Sequence, residues 1–277
     1  MTIADKNFKK LCNDILNSGN NTLGEKVRPK YADGTPSHTM FVNQVFERYD
    51  LSKGELPILT LRQTAWKSGI KEILWIYQDQ SNNLDLLKDK YSITWWDEWD
   101  IGDRTIGQRY GATVKKHDLM NKLLNGLKNQ PYGRRHIINL YQESDLSQTP
   151  GLHPCAMETQ WSVRDGFLDM TLIQRSSDVP VANAINKIQY VALMMMVARH
   201  VGLEPGVFCH YVNNAHIYDR HIEQVKELIS RDEQAKDGEV RLVLNQDKTN
   251  FYDFTINDFS LENYTPAKPN LKFEMAI

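Results

Sequence analysis

Cysteine is nearly missing from this chain: Cys12, Cys155 and Cys209 are its three, in 277 residues. So odd and sparse a set fits a reducing compartment better than a disulfide framework. An excess of either charge is missing too. A net charge of −2 leaves no overall basic field for nucleic acid, so an anionic ligand has to meet a local cluster of arginines. Long apolar runs are scarce; the most apolar stretch, Tyr190 to Ala198, is too short to span a bilayer. The first residues carry Asp5, Lys6, Lys9 and Lys10 with no apolar segment of the secretory kind. Repeats and low-complexity tracts are lacking as well. The expectation is a cytoplasmic protein that binds neither DNA nor membrane; RNA binding is not readable from the chain.

What is there is ordinary for a globular protein: 41% hydrophobic and 25% charged residues, enough for a large core. No linker divides residues 1–277, and strands and helices alternate without a regular βαβ period. The reading is one mixed α/β domain, a large mixed β-sheet covered by helices. Its strands carry aromatic and apolar residues on both faces, more than one helical layer is obliged to cover. Dimerisation through the sheet is therefore expected.

The stretch from Leu152 to Asp178 organises the rest. Two alternating runs, Met157 to Arg164 and Phe167 to Arg175, are joined by Asp165-Gly166, a strong hairpin signal. Met157, Thr159, Trp161 and Val163 share one face of the first run. Leu168, Met170 and Leu172 share a face of the second that continues to Gln174 and Ser176. Folding back brings Arg175 towards Cys155. A free thiol has a pKa of about 8.5, and a nearby fixed positive charge lowers it. The thiolate is the nucleophile, so this pairing prepares a cysteine for covalent catalysis.

In chain order, Phe8, Leu11, Cys12, Ile15 and Leu16 follow helical spacing up to Gly19. Residues 19 to 39 read as loop and contain Arg28; residues 40 to 48 read as strand. A helix over about 60 to 79 buries Trp66, Ile70, Ile73, Leu74 and Tyr77, with Glu72 at the stripe's edge. Such a carboxylate is either an exposed flank or, if buried, a proton-transfer group with a raised pKa. Trp95, Trp96 and Trp99 are too much aromatic surface for a simple loop, whether they pack a core or line a site. Gly107 to Gly111 reads as a turn carrying the Tyr110 phenol, and Leu119, Leu123, Leu124 and Leu127 mark a helix.

Arg134 and Arg135 open a strand, Ile137 to Tyr141, where a guanidinium pair suits phosphate oxygens or merely solvent. Asn183 to His200 is apolar nearly all round and should be a buried helix, ended by Gly202. Asn186 in its first turn offers a donor side and an acceptor side, which suits a uracil edge or a helix cap. Val212 to Tyr218 reads as a polar turn before a helix bearing Ile222, Val225, Leu228 and Ile229. A strand, Val240 to Leu244, follows, and an apolar Ala276-Ile277 end could pack.

This set of residues resembles the folate-dependent thymidylate synthases, over nearly the whole length from Arg28 to Ala276-Ile277. The motifs that carry the resemblance are Pro154-Cys155, Gln174-Arg175-Ser176-x-Asp178 and Trp96-Asp97-Glu98-Trp99. Arg134-Arg135 before a strand, Asn186-x-x-x-Tyr190 and His216-x-Tyr218 complete the set. It implies an α+β sandwich forming a homodimer across its sheets. The implied reaction is methylation of dUMP at C5, with 5,10-methylenetetrahydrofolate giving carbon and hydride and leaving as dihydrofolate, with no metal.

By position the resemblance makes Cys155 the nucleophile at C6 of the base, with Glu72 managing protons and Tyr110 helping remove the C5 proton. Arg175 binds phosphate and keeps the thiol ionised. Arg28 and Ser176 also hold phosphate, joined by Arg134 and Arg135 from the second subunit. Gln174 and Asn186 serve the base, His216 and Tyr218 the ribose 3′-hydroxyl, and Trp96, Trp99, Asp178 and Ala276 the folate. The chain end closes over the complex.

Three departures mark a divergent branch. Ala156 stands where many members have His, Ala182 where a glycine is common, and Asn213-Asn214 where Gly-Asp is common. Two other readings share the same residues: a deoxyuridylate hydroxymethylase, in which water replaces hydride, and a non-catalytic nucleotide- or RNA-binding member.

Overall fold

The computed structural model describes the backbone of residues 1–277 and every side chain but that of Ser18. Its helices are α1 (Ile3–Ser18), α2 (Trp66–Ile73), α3 (Leu84–Tyr91), α4 (Gly111–Lys116), α5 (Leu119–Asn129), α6 (Glu143–Leu146), α7 (Ala184–Val201) and α8 (Ile222–Ser230). Its strands are β1 (Asn20–Asn21), β2 (Thr39–Asp50), β3 (Ile137–Asn139), β4 (Ala156–Arg164), β5 (Phe167–Asp178), β6 (Glu204–Tyr218), β7 (Arg241–Leu244) and β8 (Phe259–Glu262).

The main sheet runs β1-β2-β6-β5-β4-β3, and β7 and β8 form a small pair. The β4–β5 hairpin turns at Asp165 (φ 47) and Gly166 (φ 81), the two successive positive values a type I′ turn needs. Its register sets Trp161 opposite Met170 and Thr159 opposite Leu172, so the predicted apolar faces meet. Strand β5 then pairs in parallel with β6, and β6 antiparallel with β2, making the sheet mixed as expected.

Helix α7 is the core of the helical layer. The helical stretch Val179–Val201 is long enough, and holds a window apolar enough, to cross a membrane by length and composition. That corrects the sequence reading, which bounded the apolar run at Tyr190 to Ala198. Most of it is buried inside the fold, however, which is the pattern of a core helix. The opposite face of the sheet leaves Phe46 61% and Ile137 47% exposed.

Two further expectations need correction. The helix predicted from about 60 starts at Trp66, because tertiary partners hold the preceding backbone: Thr60 donates to Asp5, and Thr64 N–H to the Tyr264 hydroxyl. The polar turn predicted over Val212 to Tyr218 is the second half of β6. Its backbone pairs with β2 on one side and β5 on the other, which outweighs the local turn preference of Asn213-Asn214. The buried positions do change parity there, from Phe208, His210 and Val212 to Ala215 and Ile217. At the chain end Ile277 and Lys30 exchange two backbone hydrogen bonds, at 2.7 and 2.9 Å.

Candidate active site

The hairpin brings Cys155 and Arg175 together as the register requires. Arg175 N–H donates to Cys155 O at 3.0 Å. The guanidinium is clamped by carbonyls, Nε to Pro154 at 3.1 Å and Nη2 to His153 at 2.8 Å, and Nη2 lies 3.3 Å from Cys155 Sγ. Ser176 Oγ stands 3.8 Å from the same sulfur. Cys155 is half-buried and unbridged. Burial pushes the other two thiols, Cys12 and Cys209, up, which disfavours their thiolates.

A buried titratable group lies alongside. Glu72, on α2, is only 8% exposed; burial pushes its carboxyl up, and Trp95 Nε1 donates to it at 2.5 Å. Tyr110 sits at φ 47 just before α4, and its hydroxyl accepts from Cys155 N–H at 3.1 Å. Burial raises the phenol well above its ordinary range, so it stays protonated. Trp96 meets the Tyr110 ring edge-on at 5.3 Å and the Trp99 ring at 5.4 Å.

Two cavities meet at Trp99. One, of about 640 Å³, is walled by Arg28, Tyr141, His153 and Arg175, two guanidiniums facing one space. The other, of about 200 Å³, is walled by Glu72, Trp95, Trp96, Ala182, Asn186 and Met275. Trp96 and Trp99 line the second, where Trp96 also serves the Glu72 carboxyl; the buried Trp99 indole N–H lacks a partner among the described residues, and so does Asp178 Oδ1, which lies outside both linings. Burial pushes the Asp178 carboxyl up to about 7. Beneath the cavity floor Gln174, 1% exposed, donates to Asn186 Oδ1 at 3.2 Å, and Asn186 Nδ2 donates to Gln189 Oε1 at 2.8 Å.

His216 and Tyr218 end β6 with their rings 5.2 Å apart. Burial lowers His216 to about 4, so it is neutral at physiological pH, and raises Tyr218 to about 12.

Arg134 and Arg135 are not brought to this cluster. Both are exposed, and Arg134 lines a separate cavity with Tyr132, Ile137, Gln160, Thr171 and Cys209 on the sheet. Nor does Ala276 reach the aromatic wall; its neighbour Met275 does. Gln189 and Met275 escaped the sequence reading, and Trp95 was given no role of its own. Trp95 belonged to the tryptophan cluster already singled out, and Gln189 stands one helical turn after Asn186, where it shares a face. Among the described residues no group of three or more His, Cys, Asp or Glu is placed to hold a metal ion.

Comparison with known proteins agrees in one direction. A family profile described as thymidylate synthase matches residues 6–277. The thymidylate synthase of Lactococcus lactis subsp. lactis (strain IL1403) is 53% identical over 283 residues, covering 100% of both chains. That of Streptococcus pneumoniae (strain 70585) is 52% identical over 283 residues, again covering 100% of both. Among solved structures, thermostable thymidylate synthase A from Bacillus subtilis matches with a TM-score of 0.91 at 37% identity, covering 99% of each chain.

Proposed function

The chain belongs to the thymidylate synthase family and is therefore a methyltransferase, and from that premise we propose that it methylates dUMP at C5. The observation that carries this is the guanidinium of Arg175, 3.3 Å from Cys155 Sγ and lining a cavity that Arg28 also faces. A sulfur beside a fixed cation is stabilised as an anion, and the same cation is available to a phosphate.

In this reading Cys155 Sγ adds to C6 of the uracil ring, and the electron pair moves through C5 towards O4. Asn186, seated on Gln174, meets the N3–O4 edge with one donor and one acceptor. Arg28, Arg175 and Ser176 hold the phosphate, and His216 and Tyr218 hold the ribose 3′-hydroxyl. The protonated Tyr110 phenol orders the water that takes the C5 proton, and Glu72 passes protons along that water. When bound, 5,10-methylenetetrahydrofolate supplies the one-carbon unit and the hydride, and it leaves as dihydrofolate. Trp96, Trp99 and Asp178 would hold its ring, with the chain end around Ala276 closing over it. The apolar wall excludes water, which favours hydride over the hydration that a hydroxymethylase needs. Release of the thiolate restores the pyrimidine.

The active form is a homodimer joined through the exposed face of the sheet, so that Arg134 and Arg135 of one copy complete the phosphate site of the other. One catalytic domain spans residues 1–277, working in the cytoplasm. The deciding experiment is incubation with dUMP and methylenetetrahydrofolate, identifying both products. Thymidylate with dihydrofolate, seen by its ultraviolet absorbance, supports the proposal; hydroxymethyl-dUMP with tetrahydrofolate, or no product, defeats it.

A further inference from the structure

A polar chain runs under the cavity floor and joins Gln174 and Asn186 to residues that none of the expected roles uses. At one end Lys187 Nζ donates to Glu47 Oε2 at 2.7 Å and to the Tyr49 hydroxyl at 3.1 Å, and that hydroxyl donates to Glu47 Oε2 at 3.1 Å. All three side chains are buried. His210, buried completely, faces the same carboxylate with Nδ1, 3.7 Å from Oε2; burial lowers the imidazole and outweighs the carboxylate, which raises it. Its Nε2 meets Gln174 Oε1 at 2.5 Å. From there the chain passes to Asn186 and Gln189, and Gln189 Nε2 donates to Gly69 O at 3.2 Å.

The far end sets the polarity of the whole. A backbone carbonyl can only accept, so Gln189 presents its amide nitrogen to Gly69 and its oxygen to Asn186. Asn186 must then donate through Nδ2 and turn Oδ1 to Gln174. Gln174 in turn donates through Nε2 and turns Oε1 to His210, so His210 must carry its proton on Nε2. The other end permits this. Lys187 and Tyr49 already supply Glu47 with donors, and burial keeps the imidazole neutral. The helix contact is built for closeness: a Cβ on Gly69 would stand 2.8 Å from Gln189 Cγ.

We propose that His210 is a positioning residue: its Nε2–H at one end of the amide chain and the Gly69 carbonyl at the other fix the flip of Gln174 and so the way Asn186 faces the base. This rests on the reading of the site as a uracil-nucleotide site. Asn186 keeps one lone pair and one N–H for a ligand. Uracil offers a donor at N3 and an acceptor at O4; cytosine offers the reverse. A carboxamide free to flip would serve both bases, whereas one held in a fixed flip discriminates.

Two measurements test this. In the intact protein, the ¹⁵N resonances of His210 should be those of a protonated Nε2 and a bare Nδ1; the opposite tautomer overturns the proposal. Second, dUMP and dCMP affinities are compared in wild type, H210F and H210Q. H210F removes the donor, and the dUMP-to-dCMP preference should fall about tenfold, the size of one buried hydrogen bond. H210Q carries a donor near the same place and should restore most of the preference. A merely structural role would weaken both nucleotides alike. H210F with the wild-type preference, or H210Q no better than H210F, overturns the inference alone. A wild type that binds neither nucleotide overturns it together with the proposed function.

Discussion

The amide N–H of Cys155 donates to the hydroxyl of Tyr110 at 3.1 Å, across 45 residues of chain. On its other side the Cys155 carbonyl accepts from Arg175 N–H at 3.0 Å. The sulfur is thus located from both flanking peptides, and the phenol that locates it also lies against Trp96. Tyr110→Phe strips the acceptor from a part-buried amide, which costs about 1–3 kcal/mol of stability. Turnover should also fall, by about 10²-fold, if the phenol orders the proton-accepting water. Steady-state kinetics and a thermal melt check both, and an unchanged kcat removes Tyr110 from proton transfer.

Cys155→Ala should abolish tritium release from C5-labelled dUMP while the nucleotide still binds. Retained release would mean that another group attacks C6. Arg175→Ala should both weaken dUMP binding and slow turnover, because one guanidinium faces both the sulfur and the cavity proposed to take the phosphate. Arg175→Lys should recover only part of either, since an ammonium cannot span the carbonyls of His153 and Pro154 and the sulfur together.

Arg134 and Arg135 lie away from Cys155 within one chain, so their phosphate role needs a second copy. Inactive Cys155→Ala protein mixed with inactive Arg134→Ala/Arg135→Ala protein, unfolded and refolded together, should regain activity. Each hybrid dimer then holds one site with an intact cysteine and intact arginines. No recovery, with hybrids shown to form, would place the arginines in their own chain's site or outside any.

Glu72→Gln keeps an acceptor for the Trp95 indole and removes the titrating proton. The fold and dUMP affinity should survive, whereas kcat should drop by about 10²–10⁴. Tritium release measured alongside product formation separates the C5 step from the later ones, and a variant with wild-type kcat excludes Glu72 from proton transfer.

Asp178 titrates from about 7 in the folded protein against an ordinary value of 3.8, because burial disfavours its anion. A carboxyl raised on folding favours the folded state below its unfolded pKa, and that contribution is lost as pH rises through the folded one. The ligand-free protein should therefore lose stability relative to Asp178→Asn as pH climbs from about 4 to 7. Melting curves across that window test this, and a pH-independent gap between the two proteins would refute the raised carboxyl.

Legibility followed the range of the interactions. The Asp165-Gly166 hairpin was readable because a type I′ turn and a two-residue alternation are encoded within a few neighbours, and once it closes, Arg175 has to meet Cys155. Gly202, at φ 75, ends α7 for an equally local reason. The segment after Val212 was misread because Asn213-Asn214 favours a turn locally, while β2 and β5 supply a ladder on both sides. Helix α2 began late because Asp5 and Tyr264, far along the chain, claim the residues before it.

The amino-acid order alone singled out Cys155, its cationic neighbour, the hairpin that joins them and the family that the motifs resemble. Each depends on residue type and on spacing over short stretches. The fold had to settle the rest: that Glu72 is buried and not a wet flank, that Arg134 points away from its own Cys155, and that Asn186 stands in a chain of amides running from Gly69 to His210. These depend on which distant groups exclude water and which offer the answering donor or acceptor, and no local pattern encodes that.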